Sequence, residues 1–236
     1  MPLCQVTISA NAGAALHVGG LRLWADALHR HKVPGFSCVT PELWARMKTH
    51  PAFAAPDILF YTHRHPDHYS HTLIQETLQL WPRAELVSPE RDFADQILLA
   101  GSESTIHYRD ISLRFRRLTH EGAEYVTVPH YGCLIDAAGF RILLTGDCAL
   151  ADPGLAEFID GVPIDLAILD FPWITLKRGR TFVEEVIRPR HLLINHLPFA
   201  QDDIFGYRAA AAKCAAVTKA ADVRLLQDPF QTEYFD

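Results

Sequence analysis

Within six consecutive residues, His63-Arg64-His65-Pro66-Asp67-His68, the chain sets three imidazoles and a carboxylate. Neutral imidazole nitrogens and ionised carboxylates are the donors that zinc, iron and manganese take from proteins. Just upstream, Asp57-Ile58-Leu59-Phe60-Tyr61 has the length and the apolar, aromatic make-up of a buried strand, so the donors stand where a strand runs out into a loop. If the chain is still extended at His63 and His65, their i, i+2 spacing turns both rings to one side and lets them share one ion. A helical or turning segment then brings Asp67 and His68 in from another direction, which suits two neighbouring cations better than one. A solvated histidine-rich loop is the alternative, and the density of donors argues against it.

The pattern His63-x-His65-x-Asp67-His68 after a buried strand resembles the signature of the metallo-β-lactamase superfamily, with every signature position filled. The resemblance extends over nearly the whole chain. It implies an α/β fold, a four-layer αβ/βα sandwich, in which a later aspartate and two later histidines complete a dinuclear site. Phe140 to Thr145 reads as a strand that ends in Gly146-Asp147, so the resemblance assigns Asp147 as the bridging carboxylate. His191-Leu192-Leu193-Ile194-Asn195 is a second apolar strand ending on an imidazole, and His196, ahead of the breaker Pro198, takes the place of the last ligand. Two histidines compete for the middle position. His120 ends the run from Ile111 to Thr119, which alternates apolar and basic residues as a half-exposed strand would, and His130 stands directly before the strand-like Tyr131-Gly132-Cys133-Leu134-Ile135. His120 is preferred, with His130 supporting the ligands or facing substrate. Asp26 is either a buried carboxylate that orients the metal loop or an ordinary cap or turn residue.

Several elements must position these groups. Gln5 to Ser9, Ala14 to Val18 and Leu21 to Asp26 read as strands, with Gly19-Gly20 as a hairpin turn. Thr40-Pro41 opens a short helix through Lys48, and Ser70 to Trp81 carries apolar residues at helical spacing. Ala84 to Ser88 reads as a strand, Pro89 to Ala100 as a helix, Ile164 to Asp170 as a strand, and helices are expected from about Thr181 and from Tyr207 to Ala220.

At 236 residues, 49% hydrophobic and 21% charged, the chain has the size and composition of one globular domain spanning residues 1–236. A net charge of −6 argues against nucleic acid as the main partner. The five cysteines are scattered and odd in number, which argues against a disulfide framework; Cys148, next to Asp147, reads as a small buried thiol. The sequence shows neither a membrane-length apolar run nor a secretory start, so the cytoplasm is the expected compartment. A homo-oligomer is allowed by the apolar content but not required by it.

Hydrolysis follows from such a site: two cations share a water, lower its pKa and polarise a carbonyl or phosphoryl oxygen. The resemblance therefore implies a metal-dependent hydrolase of a small ester-type substrate, a phosphodiester or a lactone, closer to the lactonase and phosphodiesterase branches than to the true β-lactamases. Asp67 is the expected catalytic residue, both ligand and orienter of the nucleophile. Zinc is the first choice of metal, with manganese and iron as alternatives. The cation-rich segment His29 to Phe36 and the trio Lys177, Arg178 and Arg180 are candidates for binding an anionic substrate, against the plainer reading of solvated turns. Arg64, Tyr69 and His71 are candidates for stabilising charge, and Asp202 and Asp203 for supporting a ligand or capping a helix. The rival functions are a non-haem di-iron oxidoreductase and a metal-binding protein without catalysis.

Overall fold

A computed structural model describes residues 3–220 and 222–236. The opening strands β1 (Cys4–Ile8), β2 (Ala14–Val18) and β3 (Leu21–Ala25) form an antiparallel meander. Its second turn needs two residues with positive φ, and Gly19 (54°) and Gly20 (83°) supply them. The chain continues through α1 (Pro41–Met47), β4 (Ile58–Phe60), α2 (His71–Leu80), β5 (Glu85–Ser88) and β6 (Ile97–Leu98). A second run comprises β7 (Glu103–Tyr108), β8 (Ile111–Arg117), β9 (Tyr131–Ala137), β10 (Phe140–Leu144), α3 (Pro153–Phe158), β11 (Leu166–Asp170), α4 (Pro172–Thr175), α5 (Lys177–Phe182), β12 (His191–Asn195), α6 (Tyr207–Ala215), β13 (Val223–Leu225) and β14 (Thr232–Phe235).

Two seven-stranded sheets result, in the orders β14-β1-β2-β3-β4-β5-β6 and β13-β12-β11-β10-β9-β8-β7. Apolar side chains of both sheets share one core, in which Phe60 of β4 meets Phe115 of β8 with ring centroids 5.1 Å apart. Leu43, Trp44, Leu73 and Ile74 of α1 and α2 join that cluster, and Leu155, Phe158, Trp173, Phe182 and Ala211 of α3 to α6 pack with residues of β10, β11 and β12. The layers are those of an αβ/βα sandwich. Helix starts follow local chemistry: Thr40 Oγ1 accepts from Leu43 N at 3.2 Å with Pro41 at the first helical position, and Ser70 Oγ accepts from Leu73 N at 3.5 Å.

Strand direction decides where the site lies. β3, β4 and β5 are mutually parallel in one sheet, and β10, β11 and β12 in the other, so their carboxyl ends gather at one edge. Residues that follow these ends, Asp26, His63, Asp147 and His196, meet there. Such an edge is the usual ligand-binding edge of parallel sheets.

Three expectations need correction. Residues 89–100 form no helix: Gln96 Oε1 accepts from Asp92 N (2.6 Å) and Phe93 N (2.8 Å), its Nε2 donates to Ser88 Oγ and Glu90 O, and β6 pairs with β5 instead. A single side chain here takes the backbone donors that a helix would have used. The helix expected from Thr181 starts at Lys177 and runs into a π-helical turn, Val183–Ile187, closed by Arg188 in the left-handed region at φ 47°. The last helix stops at Ala215 rather than Ala220.

Candidate metal centre

Asp26 follows β3 in the left-handed region (φ 47°) and is buried. Its Oδ1 accepts from Thr62 N at 2.9 Å, and its Oδ2 accepts from Thr62 Oγ1 at 2.7 Å and from His68 Nδ1 at 3.1 Å. These bonds fix tautomers. With its hydroxyl proton given to Asp26, Thr62 Oγ1 accepts from His63 Nδ1 at 2.9 Å. His120 Nδ1 donates to the Glu121 carbonyl at 2.6 Å. In all three rings a proton sits on Nδ1, and Nε2 is left to point inward.

Those nitrogens converge. His63 Nε2 lies 3.3 Å from His120 Nε2, and His68 Nε2 lies 3.1 Å from His196 Nε2. Nitrogens facing each other at this range need a proton or a metal cation between them. The donor atoms of His63, His65 and His120 lie within 4.8 Å of one another, and so do those of His63, His68 and Asp147 and those of Asp67, His68 and His196. Asp147 stands between the groups: its Oδ2 is 3.3 Å from His68 Nε2 and 3.9 Å from His120 Nε2, and its Oδ1 is 3.6 Å from His196 Nε2. That Oδ1 is buried without a hydrogen-bond partner. The donor set of imidazoles and carboxylates, with an orphaned carboxylate oxygen at its centre, fits two divalent cations.

The electrostatics agree. Burial alone would raise the Asp147 carboxyl, but the His68 and His196 imidazoles outweigh it and hold the group well below the usual carboxylate range. Burial would likewise lower His68, and its contacts with Asp147 and Asp26 instead hold it well above an ordinary histidine.

Backbone geometry delivers the later donors. Gly146 has φ 53°, and a Cβ there would stand 2.8 Å from Thr62 Cβ, Cγ2 and Oγ1. Gly146→Ala is therefore expected to cost about 2–4 kcal/mol, from left-handed strain and overpacking together. Chemical denaturation of the metal-free protein measures it, and an unchanged midpoint would contradict the packing argument. His196 also lies in the left-handed region (φ 56°), with its N–H donating to the Asn11 carbonyl at 3.0 Å. His120 is joined to Cys148 by a backbone bridge, and Glu121 N donates to Asp147 O at 2.8 Å, so the β8 end and the Gly-Asp loop are held as one piece.

The two competing histidines occupy different places. His120 belongs to the donor cluster. His130 is buried beside it, its ring centroid 5.3 Å from His63 and 5.5 Å from His120, with both ring nitrogens unpaired, and burial followed by the charge on His120 pushes its pKa down to about 3.

Several expected substrate contacts are absent. Lys177 and Arg178 are exposed and border a depression with Thr181 and Phe182, and Arg180 donates to the Ile174 carbonyl; none of the three lines the cleft over the donors. Arg64, Tyr69 and His71 all turn to Asp92, at 3.3, 2.5 and 2.7 Å, which clamps the metal loop to the segment after β5. In the cation-rich segment, His29 is buried against Ala10 O and Lys32 pairs with Asp202, so Val33 and Phe36 reach the cleft instead. Asp203 accepts from Tyr207 N and Arg208 N and so starts α6. Cys148 is a buried free thiol.

Sequence reasoning missed Asp170, which ends β11 beside Asn195 and lines the cleft. Its Oδ1 is buried without a partner, and burial, then the Asp147 charge, pushes its carboxyl well up. The signal was present: an apolar strand ending in aspartate, as at Asp147. The cleft itself has a volume of about 510 Å³, floored by His65, Asp67, His120, Asp147 and His196.

Among solved structures, this architecture is similar over 99% of the chain to the metallo-β-lactamase fold protein YhfI from Bacillus subtilis, of which 99% is covered, with TM-score 0.68 and 13% identity. It is similar to Igni18, a metallo hydrolase from the archaeon Ignicoccus hospitalis, with TM-score 0.65 and 16% identity over 99% of this chain and 98% of that one. CmlA, a diiron β-hydroxylase from Streptomyces venezuelae, matches with TM-score 0.67 and 13% identity over 100% of this chain, which spans 55% of CmlA. The chain has the metallo-β-lactamase fold. No protein-family model matches the chain, and no curated protein matches it. Among the described residues, no helix is long and apolar enough to cross a membrane.

Proposed function

We propose that the chain is a dinuclear metal-dependent hydrolase acting on a small ester-type substrate. The observation that carries this reading is the Asp147 carboxylate under an open cleft, its Oδ2 facing His68 of one donor group and His120 of the other and its Oδ1 facing His196. His63, His65 and His120 would hold one cation, Asp67, His68 and His196 the other, and Asp147 both. When bound, such a pair supplies Lewis acidity towards a carbonyl or phosphoryl oxygen and makes water acidic enough to ionise near neutral pH, zinc being the first choice. The protein's own groups do the rest. Asp26 and Thr62 keep His63 and His68 in the tautomers that present Nε2, and Asp67, whose Oδ2 is 3.7 Å from His196 Nε2, would orient the attacking water.

Metal-free protein, then zinc-, manganese- and iron-loaded protein, should be assayed on a lactone and on bis-p-nitrophenyl phosphate. Turnover is expected only with metal, and Asp67→Ala should lose more than the roughly 10–100-fold that removing an outer support of a ligand costs. A fully loaded wild type that hydrolyses neither substrate would contradict the reading. The similarity to CmlA gives a second reading, an iron-dependent oxidation, since imidazoles and carboxylates also suit non-haem iron. Oxygen consumption by the iron-loaded protein, without hydrolysis by the zinc-loaded one, would select it.

A further inference from the structure

We infer that the substrate is an uncharged lactone or ester carrying an apolar arm, and that the cleft selects against phosphodiesters and other anions. This rests on the hydrolase reading and narrows its substrate. Two aromatic walls flank the donors. On one side the Phe36 ring stands edge-on to His196 at 4.8 Å and stacks on Tyr207 at 5.7 Å, and Tyr207 in turn meets Phe171 at 4.7 Å. On the other side Tyr125 lies 4.7 Å from His65 and 5.2 Å from His120. The first wall continues outward through exposed Phe205, whose ring is 5.4 Å from Tyr207 and lies so close over Gly35 that a Cβ there would collide with it. Val33, Phe36, Phe171 and Pro172 line the cleft beside the donors, and an alkyl arm laid against them would be removed from water.

Charge points the same way. The ionisable groups lining the cleft are imidazoles, the Tyr125 phenol and the carboxyl groups of Asp67, Glu121, Asp147 and Asp170; among the described residues no lysine or arginine lines it. The nearby cations are already committed, Lys32 to Asp202 and Arg64 to Asp92. Recognition of a phosphate or carboxylate ordinarily uses arginine or lysine beside the metals. Here Asp67 and Asp147 would offset part of the positive charge of two bound cations, and an anion gains no lysine or arginine partner from the cleft. The reaction is a balanced hydrolysis: water oxygen bonds to the acyl carbon, the acyl C–O bond breaks, and the proton released from water passes to the departing alkoxide.

The test compares zinc-loaded wild type and Phe36→Ala on γ-decalactone, γ-butyrolactone and bis-p-nitrophenyl phosphate. In wild type, kcat/KM should be at least about tenfold higher for γ-decalactone than for γ-butyrolactone, since each buried methylene adds discrimination, and higher than for the phosphodiester. Phe36→Ala should shrink the ratio between the two lactones. Metal-free wild type, which holds no catalytic metal, should still show saturation-transfer NMR contacts to the γ-decalactone chain, weakened in Phe36→Ala. Equal kcat/KM for the lactones, or a preference for bis-p-nitrophenyl phosphate, would overturn the substrate assignment and leave the hydrolase standing. Absence of turnover on all three would overturn the hydrolase reading and the assignment with it.

Discussion

Asp147→Ala is expected to abolish activity and to leave the protein unable to hold its full complement of metal. Asp147 Oδ2 faces His120 of one donor group and His68 of the other, its Oδ1 faces His196, and the Oδ1 atom has no hydrogen bond to lose. Removing the carboxylate withdraws one negative donor from both cation positions at once, whereas the loss of any single imidazole affects one group most. The fall in activity should exceed the roughly 10–100-fold typical of losing an outer support of a metal ligand. Stability supplies a second readout. A cation bound only by the folded state at a free concentration about 1,000 times its Kd adds about 4 kcal/mol per site. Wild type should therefore gain strongly in Tm when zinc is added, and Asp147→Ala should gain far less. An Asp147→Ala protein with undiminished metal content would contradict the bridging role.

Without metal, stability is expected to fall steeply as pH drops below about 6.5, the ordinary histidine value. Burial pushes His29 down to about 4 and His130 to about 3, and it drives His63 in the same direction. Between those values and about 6.5 the unfolded chain binds protons that the folded one refuses, so stability rises with pH across this window. For His29 and His130 together the slope approaches about 2.7 kcal/mol per pH unit near pH 5. The two units from about pH 6.5 to 4.5 therefore cost about 5 kcal/mol from these two histidines, so the metal-free protein should lose much of its folding free energy by about pH 4.5. His68 acts in the opposite sense above this range: its pKa is held up in the folded state, and the stability it contributes declines as pH rises past about 6.5. Urea titrations in chelator from about pH 4.5 to 7.5 measure the profile. His130→Leu should take about 1.4 kcal/mol per pH unit off the slope of the acid limb, and a limb insensitive to that substitution would contradict the assignment.

Much of the donor cluster is legible in the sequence. His63, His65, Asp67 and His68 sit within one strand-to-loop segment, so local spacing suffices to bring them together, and the strand-terminal positions of Asp147 and His196 follow from apolar runs that stop at a polar residue. The choice between His120 and His130 is not local. It depends on the β8 end bridging to Cys148 across the second sheet while His130 is drawn beneath the donors. The two readings of Asp26 stay open in the sequence for the same reason, since its partner Thr62 is 36 residues away. A helix over residues 89–100 does not form because Gln96 bonds the backbone that a helical pattern would have satisfied. The cationic rim does not form because charge in a sequence carries no address. His29 turns inward to Ala10 O, Lys32 turns to Asp202, and the apolar Val33 and Phe36 of the same segment face the donors.

The central claim is a site for two cations, and the most direct test is metal content per chain. Protein stripped with chelator, dialysed against zinc and analysed by inductively coupled plasma mass spectrometry should retain about two ions per chain, with Asp147→Ala dialysed in parallel retaining fewer. Wild type that emerges with no bound metal, or with the same content as Asp147→Ala, would contradict the account and leave the fold without its chemistry.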